Sequence, residues 1–191
     1  MNSSEDLFSR HGGYRRLISF QVAQLVFDVT VRFCGQHIDQ RSRTHDQMVQ
    51  AARSGVQNIV EGSMASATSK KTEMTLTNVA RASLGELKQD YLDYLRQHKL
   101  QLWAEIDPRR QELTKRRFTS ADEVTAWIHE IAIRDQQQPV EVMANAALVL
   151  IGVASWLLKR QLVALTNAFQ NEGGFSERLY QMRKGNRDEG R

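Results

Sequence analysis

Apolar residues recur along this chain at intervals of three and four over long stretches, the spacing that places side chains on one face of an α-helix. The first stretch predicts a helix from about Tyr14 to Gly35. It carries two stripes: Ile18, Val22, Leu25, Val29 and Phe33 on one side, and Phe20, Ala23, Phe27, Val31 and Cys34 on nearly the opposite side. A bundle core occupies one side of a helix, so the second stripe predicts a subunit interface at Phe20, Phe27 and Val31. After a charged turn, Asp39 to Arg43, Thr44 is the expected N-cap of a second helix over about His45–Met64, with Met48, Ala52, Val56 and Ile59 inward. The small, polar run Ser63–Ser69 predicts a hairpin turn. A third helix follows over Lys70–Gln97, with Leu76, Val79, Ala80, Leu84, Leu87, Tyr91 and Leu95 inward.

The rhythm breaks over 99–139. Trp103, Asp107-Pro108 and Lys115-Arg116-Arg117 predict a loop-rich insertion, and Ser120 with Glu123 three residues on predicts a capping box and a short helix to about Arg134. Pro139 suits the first turn of a last long helix that ends at Gly173-Gly174. The expected organisation is an N-terminal arm (1–13), three helices (14–98), the insertion (99–139), the fourth long helix (140–174) and a hook with a basic tail (175–191), in which Phe175, Leu179 and Tyr180 are apolar. With no strand pattern and short connections, the expected fold is all-α: an antiparallel up-and-down four-helix bundle with a helical insertion before its last helix.

Composition changes this picture little. At 191 residues with 41% hydrophobic and 25% charged residues, the chain is large enough for one real core. A single cysteine, Cys34, precludes an internal disulfide and fits a cytoplasmic protein. No secretory leader pattern opens the sequence. The 17 uncharged residues between Glu141 and Lys159 reach the lower limit for a membrane span, but Asn145, Gly152 and Ser155 dilute them, and a buried bundle helix is the expected reading, with no membrane partner.

Candidate chemistry is sparse. Phosphate-cradling loops, nucleophile elbows, dinucleotide fingerprints and paired-histidine motifs are absent, so no catalytic residue, metal or cofactor is expected. Cys34, His37 and His45 imitate a metal triad, but Cys34 belongs to an apolar stripe. Cations cluster instead, at Arg15-Arg16, Arg41 with Arg43, Lys70-Lys71, Arg109-Arg110, Lys115-Arg116-Arg117 and Arg183-Lys184. With a net charge of +4, they make a candidate surface for RNA or DNA without strong sequence preference. A protein-interaction scaffold without nucleic-acid binding is the alternative.

The second and third helices carry polar residues among small ones: Arg53, Asn58, Glu61 and Gly62 on one, Ser83 and Glu86 on the other. A turn centred near Ala67 sets residue i opposite roughly residue 134 − i. Arg53 then approaches Arg81 and Glu86, Gln50 approaches Ser83, and Glu61 sits beside the start of the third helix, where a carboxylate is favoured. These residues read either as a network fixing helix register or as a functional surface.

The stretches Asn58-Ile59-Val60-Glu61-Gly62 and Ala80-Arg81-Ala82-Ser83-Leu84-Gly85-Glu86-Leu87 resemble the bacterial four-helix bundle family. That family includes proteins encoded in intervening sequences of large-subunit ribosomal RNA genes and is related in fold to accessory variability proteins of diversity-generating retroelements. The match covers about Tyr14–Gln97, with Val60 where alanine is usual, and the remainder resembles the variant with a carboxyl-terminal suffix domain. The resemblance implies a homo-oligomer, often a pentamer, without enzymatic activity. For the retroelement relatives it implies a basic surface engaging nucleic acid and a reverse transcriptase.

Overall fold

The computed structural model describes residues 13–172, and every regular element among them is helical. A 3-10 turn at Gly13–Arg16 leads into α1 (Ile18–His37), followed by α2 (Arg43–Ala65), α3 (Lys70–Gln97), α4 (Pro108–Arg116), α5 (Ala121–Arg134) and α6 (Pro139–Glu172). The expected arm, the hook residues Phe175, Leu179 and Tyr180, and the Gly173-Gly174 cap lie outside the described residues, apart from Gly13 itself.

Caps explain most of the boundaries. Ser42, in an extended conformation, accepts from the His45 amide at 3.1 Å, so the cap of α2 lies two residues before the expected Thr44. Ser69 accepts from the Thr72 amide and opens α3. At α5, Ser120 Oγ accepts from the Glu123 amide while the Glu123 carboxylate accepts from the Ser120 amide, which is the capping box expected there. Helix α1 starts at Ile18 rather than Tyr14 because the four preceding residues close a tighter turn, from which Tyr14 packs edge-on against Phe20.

Helices α1, α2, α3 and α6 pack as consecutive neighbours, with α6 returning to α1. The closest approach is α2 on α3. A Cβ added at Gly55 would stand 3.0 Å from Leu84 Cδ2, and one at Gly62 would stand 3.4 Å from Leu76 Cβ, so these two glycines admit the facing helix. Ser19 Oγ near the start of α1 donates to Gln161 Oε1 of α6 at 2.9 Å, and the segment after α3 bonds the start of α6, so the start of α1 lies beside the later part of α6 and the end of α3 beside its beginning. The chain therefore has a base, formed by the start of α1, the α2–α3 turn and the end of α6. It also has a crown, formed by the α1–α2 turn, the end of α3 and the start of α6.

The insertion is a structural part of the crown rather than a loop-rich excursion. It contains a second helix, α4, capped by Asp107 with Pro108 at its first position. Trp103, Leu113 and Trp127 are all fully or almost fully buried, and Trp127 stands edge-on to Trp103. Asn145 of α6 clamps the incoming segment, accepting from the Trp103 amide at 2.8 Å and donating to the Gln101 carbonyl at 2.8 Å. Arg32 of α1 donates to Asp122 at 2.6 Å, which ties α5 to the bundle.

Under this cover α6 is buried continuously from Val142 to Ile151. Helix α6 is long and apolar enough to cross a membrane by length and composition, and 61% of that apolar window lies buried inside the fold.

Candidate nucleic-acid interface

The clustered cations divide between the two ends. At the base, Arg15 and Arg16 leave the 3-10 turn that packs on α1 and α2, and Lys70 and Lys71 open α3. Arg15, Arg16 and Lys71 are exposed and Lys70 is half-buried. None of the four forms an ion pair among the described residues. Within 13–19, 60–74 and 160–171, the stretches that build this end, five cations face two carboxylates, Glu61 and Glu73. Glu73 is 8% exposed, and burial raises its pKa against the pull of nearby Lys70.

The crown holds more cations and pairs three of them, Arg109, Arg116 and Arg134, with carboxylates. Arg116 lies 3.5 Å from both Glu112 and Glu130, and Arg134 bonds Glu112 at 3.0 Å and Asp135 at 2.8 Å. Arg109 is the extreme case. Its side chain is 13% exposed, pairs with Asp107 at 2.6 Å and Asp135 at 3.4 Å, donates to Gln137, and lies 4.5 Å over the Trp103 ring. The hydrogen bond from Arg109 holds the Asp107 carboxyl below its ordinary range. Arg109 thus joins three insertion segments, a role its place in a cationic run did not signal.

Arg41, Arg43, Lys115 and Arg117 are exposed and Arg110 half-buried, without ion pairs among the described residues. Arg117 ends α4 in the left-handed region at φ 50°. Arg183 and Lys184 lie outside the described residues.

The polar residues of α2 and α3 separate into two groups. Ser54 and Ser83 hydroxyls meet at 3.0 Å across the pair, and Asn58 Nδ2 donates to the Ser54 carbonyl at 2.8 Å and to its hydroxyl at 3.1 Å. Ser54 therefore meets a residue three positions beyond the one expected from a turn centred at Ala67, because α2 continues to Ala65 and the turn closes later. Gly62 belongs to the same seam.

Arg53, Glu61 and Glu86 are exposed instead. Arg53 and Glu61 line a shallow depression on α2 with Gln50, Gln57 and Asn58, and Glu86 lines an open groove of about 690 Å³ with Gln50, Ser83 and Asp90. Gln50 and Ser83 do share a groove; the start of α3 is capped by Ser69, and Glu61 makes no hydrogen bond to it among the described residues.

Of the expected interface residues, Phe20 and Phe27 are half-buried against the core, while Val31 is 42% exposed. Ala23 and Cys34 of the same stripe are fully buried, since α2 seats this side of α1; the Cys34 and Met48 sulfurs lie 4.0 Å apart. Among the described residues no three His, Cys, Asp or Glu side chains converge on a metal-sized site. No family model, no curated protein and no solved structure matches this chain.

Proposed function

We propose that this chain is a non-enzymatic, homo-oligomeric helical bundle that binds RNA or DNA through its cationic base. Its four long helices are read as an antiparallel up-and-down bundle, with α4 and α5 inserted before the last. The observation that carries the reading is the charge of the base, where Arg15, Arg16, Lys70 and Lys71 converge with little acidic compensation. Such a surface reads phosphates and not base sequence. Assembly, as the family resemblance implies for pentamers, would multiply this field. The same resemblance supports an accessory role beside a reverse transcriptase in the cytoplasm.

The test is a titration with labelled RNA and DNA at several salt concentrations, for the native chain and for a variant with Arg15, Arg16, Lys70 and Lys71 all replaced by alanine. The variant is expected to bind more weakly and to lose about 3 from the slope of log affinity against log salt. An unchanged slope would remove the base from the interface.

The scaffold reading is favoured by a different observation, the row of Phe20, Phe27 and Val31 along α1 with their outer edges open. A monomeric mass at micromolar concentration would remove self-association from both readings.

A further inference from the structure

Helix α6 meets two different surroundings. Its first half is enclosed by the segment after α3 and by α4 and α5, whereas Gly152, Trp156, Lys159, Arg160 and Val163 are exposed. Steps of four, three and four residues from Gly152 through Trp156 and Lys159 to Val163 put these side chains on one face, and Arg160 is one turn from Trp156. Trp156 is 54% exposed; the other two tryptophans, Trp103 and Trp127, are 3% and 2% exposed.

The Arg160 guanidinium lies 5.0 Å from the centroid of the Trp156 ring. Neither Lys159 nor Arg160 has a carboxylate partner among the described residues. One turn before the ring, Gly152 leaves open space where a Cβ would find nothing within 4 Å.

We propose that Trp156, Lys159 and Arg160 form a subsite for single-stranded nucleic acid, in which an unpaired base stacks on the indole and the flanking phosphates meet the two cations. The subsite rests on the nucleic-acid reading of the base and extends it up α6, since Arg160 adjoins Gln161, the partner of Ser19 at the start of α1.

Charge selects the occupant. From Val142 to Asn171 the only charged residues of α6 are Lys159 and Arg160. A second copy packed symmetrically on this face would set like charges against each other, whereas a polyanion complements them. A duplex keeps its bases stacked inside, so only an unpaired strand offers a base to the ring.

The full chain is titrated with a 15-mer of thymidylate and with a duplex of equal length, following intrinsic tryptophan emission. Because Trp103 and Trp127 are buried, quenching on binding reports Trp156. The single strand is expected to quench emission and the duplex to leave it unchanged. Trp156→Ala is expected to lose about ten-fold in affinity for the strand, and Trp156→Phe to retain most of it without the emission change. Lys159→Ala with Arg160→Ala should lower the salt slope by about 1.4.

Strand binding that leaves emission unchanged, or that Trp156→Ala does not weaken, overturns the subsite and leaves the base reading intact. Failure of the native chain to bind either nucleic acid overturns both. Emission that shifts to the blue with protein concentration alone assigns the face to a second copy and overturns the subsite.

Discussion

The Tyr91 hydroxyl donates to Thr30 Oγ1 at 3.1 Å in the centre of the core, and Thr30 Oγ1 in turn donates to the Val26 carbonyl at 2.7 Å. Both residues are fully buried, and Tyr91 packs on Phe33 with ring centroids 4.9 Å apart. The two ends of this relay are not equivalent. Tyr91→Phe removes one donor and leaves Thr30 bonded to Val26, at an expected cost of about 1 kcal/mol. Thr30→Val strands the tyrosine hydroxyl among apolar atoms, and about 2–3 kcal/mol is expected. Urea denaturation of the two variants checks the order; equal losses would mean that water reaches the Tyr91 hydroxyl.

Glycine is missing from positions where the backbone asks for it, and present at others where it does not. Lys99 and Gln136 end α3 and α5 in the left-handed region, at φ 55° and 54°, with Leu100 N donating to the Leu95 carbonyl and Gln137 N to the Ala132 carbonyl. Lys99→Gly is expected to stabilise by about 1 kcal/mol, because the side chain is exposed and the strain is relieved. Gly85 stands exposed in the middle of α3 with nothing within 4 Å of a Cβ, so Gly85→Ala is expected to add about 0.5–1 kcal/mol. Thermal melts of both variants test the pair. A loss at Gly85 would show that a partner packs there in solution.

Acid should loosen the insertion first. Glu112 accepts from Trp127 Nε1 at 2.9 Å and from Arg134 at 3.0 Å, and these contacts, the tryptophan first, hold its carboxyl below the ordinary range. A carboxyl whose folded pKa lies below its unfolded value contributes stability above the unfolded value, about 4.3, and that stability is lost as pH falls through the folded one. Asp107 and Asp135, both lowered by arginine hydrogen bonds, act in the same direction. Emission from the buried tryptophans is expected to change on going from pH 5 towards pH 3, and Glu112→Gln to blunt that change. A profile identical in the variant would take Glu112 out of the transition.

Cys34 is expected to resist alkylation in the native state. Burial, with a smaller contribution from the Asp90 charge, pushes its thiol up to about 12, and the thiolate is the reactive form. Iodoacetamide at pH 8 should modify the chain only after denaturant is added. Rapid native labelling would mean that α1 opens from α2 on the time scale of the reaction.

How much of this was legible beforehand depended on whether a signal was local. The bounds of α3 follow from Ser69 and from Ala80, Leu84, Leu87, Tyr91 and Leu95, which are buried as expected, although Val79, also expected inward, is 40% exposed; the α5 capping box is contained in four residues. Helix α4 escaped because it buries one residue, Leu113, and one apolar side chain has no period. Its Asp107-Pro108 start was nonetheless a cap signal in plain view. The Arg109 cluster and the Asn145 clamp join positions 26 and 42 residues apart, and only the folded chain brings these together. Trp156 was hidden for the opposite reason, since a tryptophan at helical spacing within an apolar helix looks the same whether or not its neighbours cover it.

The enclosure of α6 over one half of its length makes one helix two thermodynamic objects. Amides from Val142 to Ile151 sit beneath the insertion and can exchange with solvent deuterium only through openings that dismantle the crown, close to global unfolding. Those beyond Trp156 have an uncovered face and can fray by turns from the base. Exchange followed by mass spectrometry is expected to show a step in protection within this single helix rather than a gradient from its end. If the step shifts towards the C-terminus when oligonucleotide or a second copy is bound, the exchange pattern itself will mark how far along α6 the partner reaches.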